Sequence, residues 1–191
     1  MNRYIFAYGS LLDPDSLRST LPDIDIDSLI PARLLSYVRT WDVAFPNDGS
    51  QGDKAYFDLD KSRPPVVLVV NLSVSTSVTA VNGILVPVDV GELSRLRNRE
   101  LRYDLINVSA KTELYASSER PRLSVSTFVA RDEFTQPADV ARGLVPKSYM
   151  DSVLAGVSFW DERCSGFADD FQKSTVPMPE EKIAILDRVD N

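Results

Sequence analysis

The sequence predicts an α+β fold, and three observations predict it. Short segments rich in β-branched residues are frequent along the chain. Patterns of helical period are few, three or four in all. Those helices stand segregated between the strands, so a twisted or closed sheet is expected.

The elements follow in order. Tyr4, Phe6 and Tyr8 alternate, which marks a strand that stops at Gly9-Ser10. Asp13 can cap a short helix, with Pro14 in its first position and Leu17 and Leu21 on one face. Residues 34–45 supply one or two strands, with Tyr37 and Trp41 as large core candidates. The stretch 46–65 carries Asn47-Asp48-Gly49, Gly52-Asp53 and Pro64-Pro65 as turn signals, and reads as a long internal loop. Residues 1–191 are therefore taken as one domain. Residues 66–74 and 82–88 read as strands, and Asp89 can cap a helix running from about Gly91 towards Leu101. Residues 103–108 and 125–129 read as further strands. Late in the chain Tyr149, Val153 and Val157 fall four apart. Trp160, Cys164, Phe167 and Phe171 then follow i, i+4, i+7, i+11 spacing, a second helical pattern and a strong amphipathic stripe. In the middle of that stripe Cys164 reads as core filling and not as a nucleophile.

Composition narrows the function. The 191 residues include no histidine and one cysteine. Ser-His-Asp and Cys-His sites are therefore excluded within the chain, as are zinc sites that need imidazole or several thiolates. Any proton-transfer group must be Asp, Glu, Lys, Tyr or Cys. With 21 basic against 28 acidic residues the net charge is −7, which opposes binding to phosphate backbones, so no nucleic-acid partner is expected. The apolar N-terminal stretch breaks at Gly9-Ser10 and ends at Asp13, so it reads as a strand and not as a signal peptide. The densest apolar run, Val66 to Val70, is far short of the roughly 18 residues that a membrane helix needs. No membrane association is expected, and a cytoplasmic location is.

Three signals fail. Asp23, Asp25 and Asp27 have the opening spacing of a calcium loop, but Ser28 and Leu34 stand where glycine and glutamate are required. No standard glycine-rich nucleotide loop is present. Arg95, Arg99 and Arg102 form a stripe without interleaved aromatics, which reads as the wet face of a helix.

Two segments carry chemistry. At Tyr8-Gly9-Ser10-Leu11 a strand ends abruptly, and Gly9 allows close approach of the backbone to a ligand. In the helix after Asp89, Leu93, Leu96 and Glu100 share one side, so a carboxylate occupies a place where the pattern asks for an apolar residue. Desolvation there raises a carboxyl pKa towards neutrality, as a general acid/base requires. The alternative is that the helix ends near Arg99, leaving Glu100 exposed or paired with an arginine.

Taken together, Tyr8-Gly9-Ser10-Leu11 and the later Arg99-Glu100-x-x-Tyr103 resemble the γ-glutamylcyclotransferase superfamily, its AIG2-like branch in particular. The resemblance also takes in Trp41-Asp42-Val43-Ala44-Phe45, Val81-Asn82-Gly83-Ile84-Leu85, and Pro146 to Val157 with Tyr149. It implies a small mixed β-barrel with flanking helices. It implies an enzyme that cyclises a γ-glutamyl group to 5-oxoproline, releasing the attached amine or amino acid without metal or organic cofactor. Carried over by residue, Glu100 is the general acid/base. The backbone of Tyr8, Gly9, Ser10 and Leu11 cradles the γ-glutamyl head, and Tyr103 and Tyr149 form pocket walls or donate hydroxyls. The partner implied is a small γ-glutamyl substrate. Asp42 and Arg97-Asn98 depart from the family pattern, and an added carboxylate at Asp42 near the pocket would disfavour an anionic substrate. The rival reading is a non-catalytic module on the same fold that binds a small molecule or a protein.

Overall fold

The computed structural model describes residues 3–52, 54–77, 80–115, 117 and 122–190. Its centre is a mixed six-stranded sheet in the order β7-β9-β1-β6-β2-β8. The strands are β1 (Arg3–Ala7), β2 (Ile30–Leu35), β6 (Ala80–Val88), β7 (Tyr103–Asn107), β8 (Thr112–Leu114) and β9 (Ser124–Ala130). Only β1 and β9 pair in parallel; the other neighbours are antiparallel. A long antiparallel ribbon, β3 (Tyr37–Pro46) with β5 (Val66–Val74), forms a second layer. Two smaller pairs complete the strands: β4 (Lys54–Phe57) with β12 (Asp187–Asp190), and β10 (Val145–Pro146) with β11 (Ile183–Ala184). The helices are α1 (Pro14–Thr20), α2 (Val90–Arg99), α3 (Pro137–Arg142), α4 (Lys147–Asp161) and α5 (Phe167–Lys173).

Strand alternation sorts the core into two layers. Ile5 and Ala7 of β1, with Ile84 and Val86 of β6, face α1, α2, α4 and α5. Phe6, Tyr8, Val81 and Leu85 face the β3–β5 ribbon through Trp41, Leu68, Val70 and Leu72. Each large apolar side chain fully removed from water contributes about 1.5–3 kcal/mol, so these two faces hold the sheet between its covers. Both central strands are apolar on both faces because both faces are covered.

The α+β class is as expected, but no closed barrel forms among the described residues. The six-stranded sheet and the β3–β5 ribbon remain separate layers. Side chains span part of the gap between them. The Tyr103 hydroxyl donates to Val70 O at 2.7 Å, and Ala130 N donates to Asn71 Oδ1 at 3.0 Å. Bonds of this kind join main chain to side chain where a barrel would continue its ladder. A register shift between Thr40 and Val43 bends β3 at Trp41 and Asp42, as a bulge does.

Several local expectations meet their structural reasons here. Asp13 caps α1 by accepting from Asp15 N at 3.1 Å, and Pro14 opens the helix. Two late helices form as expected, but the break falls inside the second stripe: Trp160 belongs to α4, and Phe167 and Phe171 to α5. Gly166, at φ 84°, turns the chain between them, and both faces still reach one core. Cys164 is half-buried at that junction, and burial pushes its thiol up, away from reactivity. Asp25 caps a single turn at Ile26–Ser28 by accepting from Asp27 N. Among the described residues no helix is long and apolar enough to cross a membrane.

Candidate active site

The turn after β1 and the end of α2 are brought together by helix packing. Asp89 and Glu92 close a reciprocal capping box, each side chain accepting from the other's backbone N–H at 2.7 Å. Leu93 and Leu96 bury one face of α2 in the helical layer. The helix ends at Arg99, so the alternative reading of its length was right. Glu100 is its C-cap, donating its N–H to Leu96 O, and the chain turns at once into β7 through Tyr103 N donating to Glu100 O.

That joint does not expose the carboxylate. The Glu100 side chain is 17% accessible and lies 3.3 Å from Arg99 Nε. Burial raises its pKa, against the opposing pull of Arg99, Lys54 and Arg102. Both halves of the two readings therefore coexist: the helix stops, an arginine pairs, and the acid is still desolvated.

Arg99 links this acid to the turn. Its Nη2 donates to Ser10 Oγ at 3.1 Å and Ser16 Oγ at 2.9 Å, and its Nη1 to Ser16 O and Thr20 Oγ1. Expected on a wet face, Arg99 is instead a cross-link in the site. Arg102 is likewise buried, with its guanidinium 4.0 Å over the Phe45 ring.

Gly9 and Glu100 line one small inner cavity of about 40 Å³, together with Tyr8, Ser10, Leu11, Val70, Tyr103 and Tyr149. The seven predicted site residues are thus neighbours. An outer cleft of about 550 Å³ shares Ser10, Glu100, Tyr103 and Tyr149 with it. The outer cleft extends past Phe45, Tyr56 and Val69 to Lys54 and Arg188. A side chain on Gly9 could not fit: its Cβ would lie 2.5 Å from Val70 Cγ2. In the turn itself, Leu12 N and Asp13 N donate to Gly9 O and Ser10 O, so the N–H groups of Ser10 and Leu11 precede its first bonds.

Three tyrosines surround the inner cavity, each with its hydroxyl anchored. Tyr8 donates to Phe128 O at 2.7 Å and Tyr103 to Val70 O. Tyr149 accepts from Val70 N at 3.3 Å, which leaves its own hydrogen to donate elsewhere. Burial raises all three phenol pKa values, so none acts as a base near neutrality.

Asp42 is not among the residues lining either cavity; its carboxylate accepts from Thr40 Oγ1 at the bulge. Its charge nevertheless reaches Tyr8, which lines the inner cavity, and helps to raise that phenol's pKa. Arg97 is exposed on the far side of α2, whereas Asn98 lines the outer cleft. Lys54 and Arg188 could not be found locally. They meet because β4, from the stretch read as a loop, pairs with β12 some 130 residues later.

No family model matches the chain, and no curated protein sequence does. Solved structures do. The chain is similar to YkqA from Bacillus subtilis, at 15% identity and TM-score 0.59 over 92% of this chain and 56% of that one. It thus spans little more than half the length of that relative. A γ-glutamyl cyclotransferase is similar over 95% of both chains, at 14% identity and TM-score 0.59. A glutathione-specific γ-glutamyl cyclotransferase from yeast matches over 91% of this chain and 99% of its own, at 13% identity and TM-score 0.52. In tertiary structure this chain carries the γ-glutamyl cyclotransferase-like fold.

Proposed function

We propose that residues 1–191 act as one γ-glutamylcyclotransferase-like enzyme, converting a small γ-glutamyl amide to 5-oxoproline and a free amine. The observation that carries this reading is the desolvated Glu100 sharing a cavity with the Gly9 turn.

In the reaction the substrate's α-amine attacks its own γ-carbonyl carbon. The new C–N bond closes the lactam ring, and the bond to the leaving nitrogen breaks. Glu100 accepts a proton from the attacking amine and delivers it to the leaving nitrogen. The protein supplies no nucleophile, so its first task is to fold the substrate for attack. Such positioning lowers a barrier by up to about 7–11 kcal/mol. The turn at Tyr8-Gly9-Ser10-Leu11 seats the γ-glutamyl head, with Tyr103 and Tyr149 as walls and the Tyr149 hydroxyl as a donor. The leaving amine occupies the outer cleft. No cofactor enters any step.

The test is a panel of γ-glutamyl amino acids, γ-glutamyl amines and glutathione, with 5-oxoproline measured. Glu100→Gln is expected to lose roughly 10²–10⁴-fold in kcat. Unchanged turnover in that variant would sink the assignment of Glu100. Binding of these compounds with no 5-oxoproline formed by the unmodified protein would favour the non-catalytic module instead.

A further inference from the structure

Arg39 is the largest side chain fully withdrawn from solvent, at 0% exposure, and the mechanism above does not use it. Its Nε donates to Tyr8 O at 2.8 Å, and its Nη2 to Asn82 O at 2.7 Å and Asn82 Oδ1 at 3.2 Å. Its Nη1 donates to Thr175 Oγ1 at 2.8 Å and Ser174 Oγ at 3.5 Å. One face of the guanidinium rests 4.2 Å from the Phe171 ring. Every acceptor is neutral, and among the described residues no carboxylate lies within ion-pair distance of Arg39. Burial pushes its pKa down to about 9, which leaves it charged at neutral pH.

Buried charges are ordinarily paired, because an unpaired one loses its hydration without compensation. Here the charge sits behind one particular peptide group. The carbonyl that accepts from Arg39 Nε belongs to the Tyr8–Gly9 peptide, whose N–H is that of Gly9. A charged donor on the oxygen of a peptide polarises the whole unit and strengthens its N–H as a donor. Gly9 lines the inner cavity, and any side chain there would collide with Val70.

We infer that Arg39 is a positioning residue which, through the Tyr8 carbonyl, makes the Gly9 turn a seat for a carboxylate. Its charge is completed by the bound anion on the far side of the turn. For the γ-glutamyl reading, on which only the choice of test ligand rests, that anion is the substrate's α-carboxylate and not the developing oxyanion. A purely structural Arg39, tying β1, β3 and β6 to the end of α5, would be indifferent to ligand charge.

The experiment measures binding by calorimetry of 5-oxoproline and of its neutral carboxamide, which differ in charge and little in shape. The unmodified protein is expected to favour the carboxylate by roughly tenfold or more. Arg39→Gln should reduce that ratio to below about threefold, while weakening the carboxamide little. Thr175→Asp places a carboxylate beside Nη1 and leaves the arginine in position. It should collapse the ratio in the same way and serves where Arg39→Gln does not fold, as judged by thermal melting. Equal affinities in the unmodified protein, or an undiminished ratio in either folded variant, overturn the inference. A protein that makes no 5-oxoproline from any γ-glutamyl compound but shows the charge preference would defeat the enzymatic reading alone.

Discussion

At the scale of the residue, Glu100 combines two properties that sequence patterns treat as alternatives. It caps a helix end and pairs with Arg99, yet burial dominates and raises its pKa. The sign of the consequence is definite. The folded state holds the Glu100 proton more tightly than the unfolded chain does. Stability therefore falls as pH rises from the ordinary glutamate value of about 4.3 through the raised folded value. Below that window the group is protonated in both states and contributes nothing. Glu100→Gln should accordingly raise the melting temperature at pH 8 more than at pH 4, measured side by side by calorimetry. Under the proposed function turnover has the opposite dependence, because Glu100 must be ionised to act as the base. Its acid limb should lie above the ordinary carboxylate range and lose its Glu100 component in the variant.

At the scale of the element, α2 was legible because its signals are local: a capping residue and leucines at helical spacing; the capping box that Glu92 adds came only with the structure. The helix holds Glu100 as its C-cap. Asp89→Ala removes half of the capping box and should cost about 1 kcal/mol, read from urea unfolding. Because the box lies at the opposite end of the helix from Glu100, kcat should change less than twofold, roughly what a loss of stability without displacement of the site allows. Strand β2 was read only at its Leu34–Leu35 end, and the short strands β4, β8, β10, β11 and β12 were not legible. Four residues or fewer carry too little alternation to register, and their pairing partners lie far away in sequence. The stripe of arginines misled for a related reason. Spacing put Arg99 and Arg102 on one face of a helix that in fact stops at Arg99, and only packing decides that α1 lies opposite Arg99 and Phe45 opposite Arg102.

At the scale of the whole molecule, two β layers meet without closing, and the site lies at their seam. Val70 belongs to the ribbon; its carbonyl accepts from Tyr103 of the sheet and its N–H donates to Tyr149 of α4. The tyrosines that line the cavity are thus also the fasteners of the layers. Tyr103→Phe should destabilise by about 0.5–1.5 kcal/mol, the net worth of one such bond, by denaturant unfolding. If its role is to hold the layers, kcat should fall by less than about tenfold, whereas a hydroxyl that moves the reacting proton would cost about 10²-fold or more.

The sequence by itself determined the mixed class, most of the longer strands, the capped helices and the two segments that line the candidate site. It also determined the chemistry open to the site, since a chain without histidine must move protons with a carboxylate or another remaining group. These properties depend on residue type and short-range spacing. Tertiary structure alone decided that the layers stay unclosed, that Asp42 does not line either cavity, and that Arg99 bridges Glu100 to Ser10. It also decided that Arg39 stands charged behind Gly9. Each of these joins residues tens to more than a hundred positions apart, and desolvation is a property of what surrounds a group in space, which no local spacing encodes.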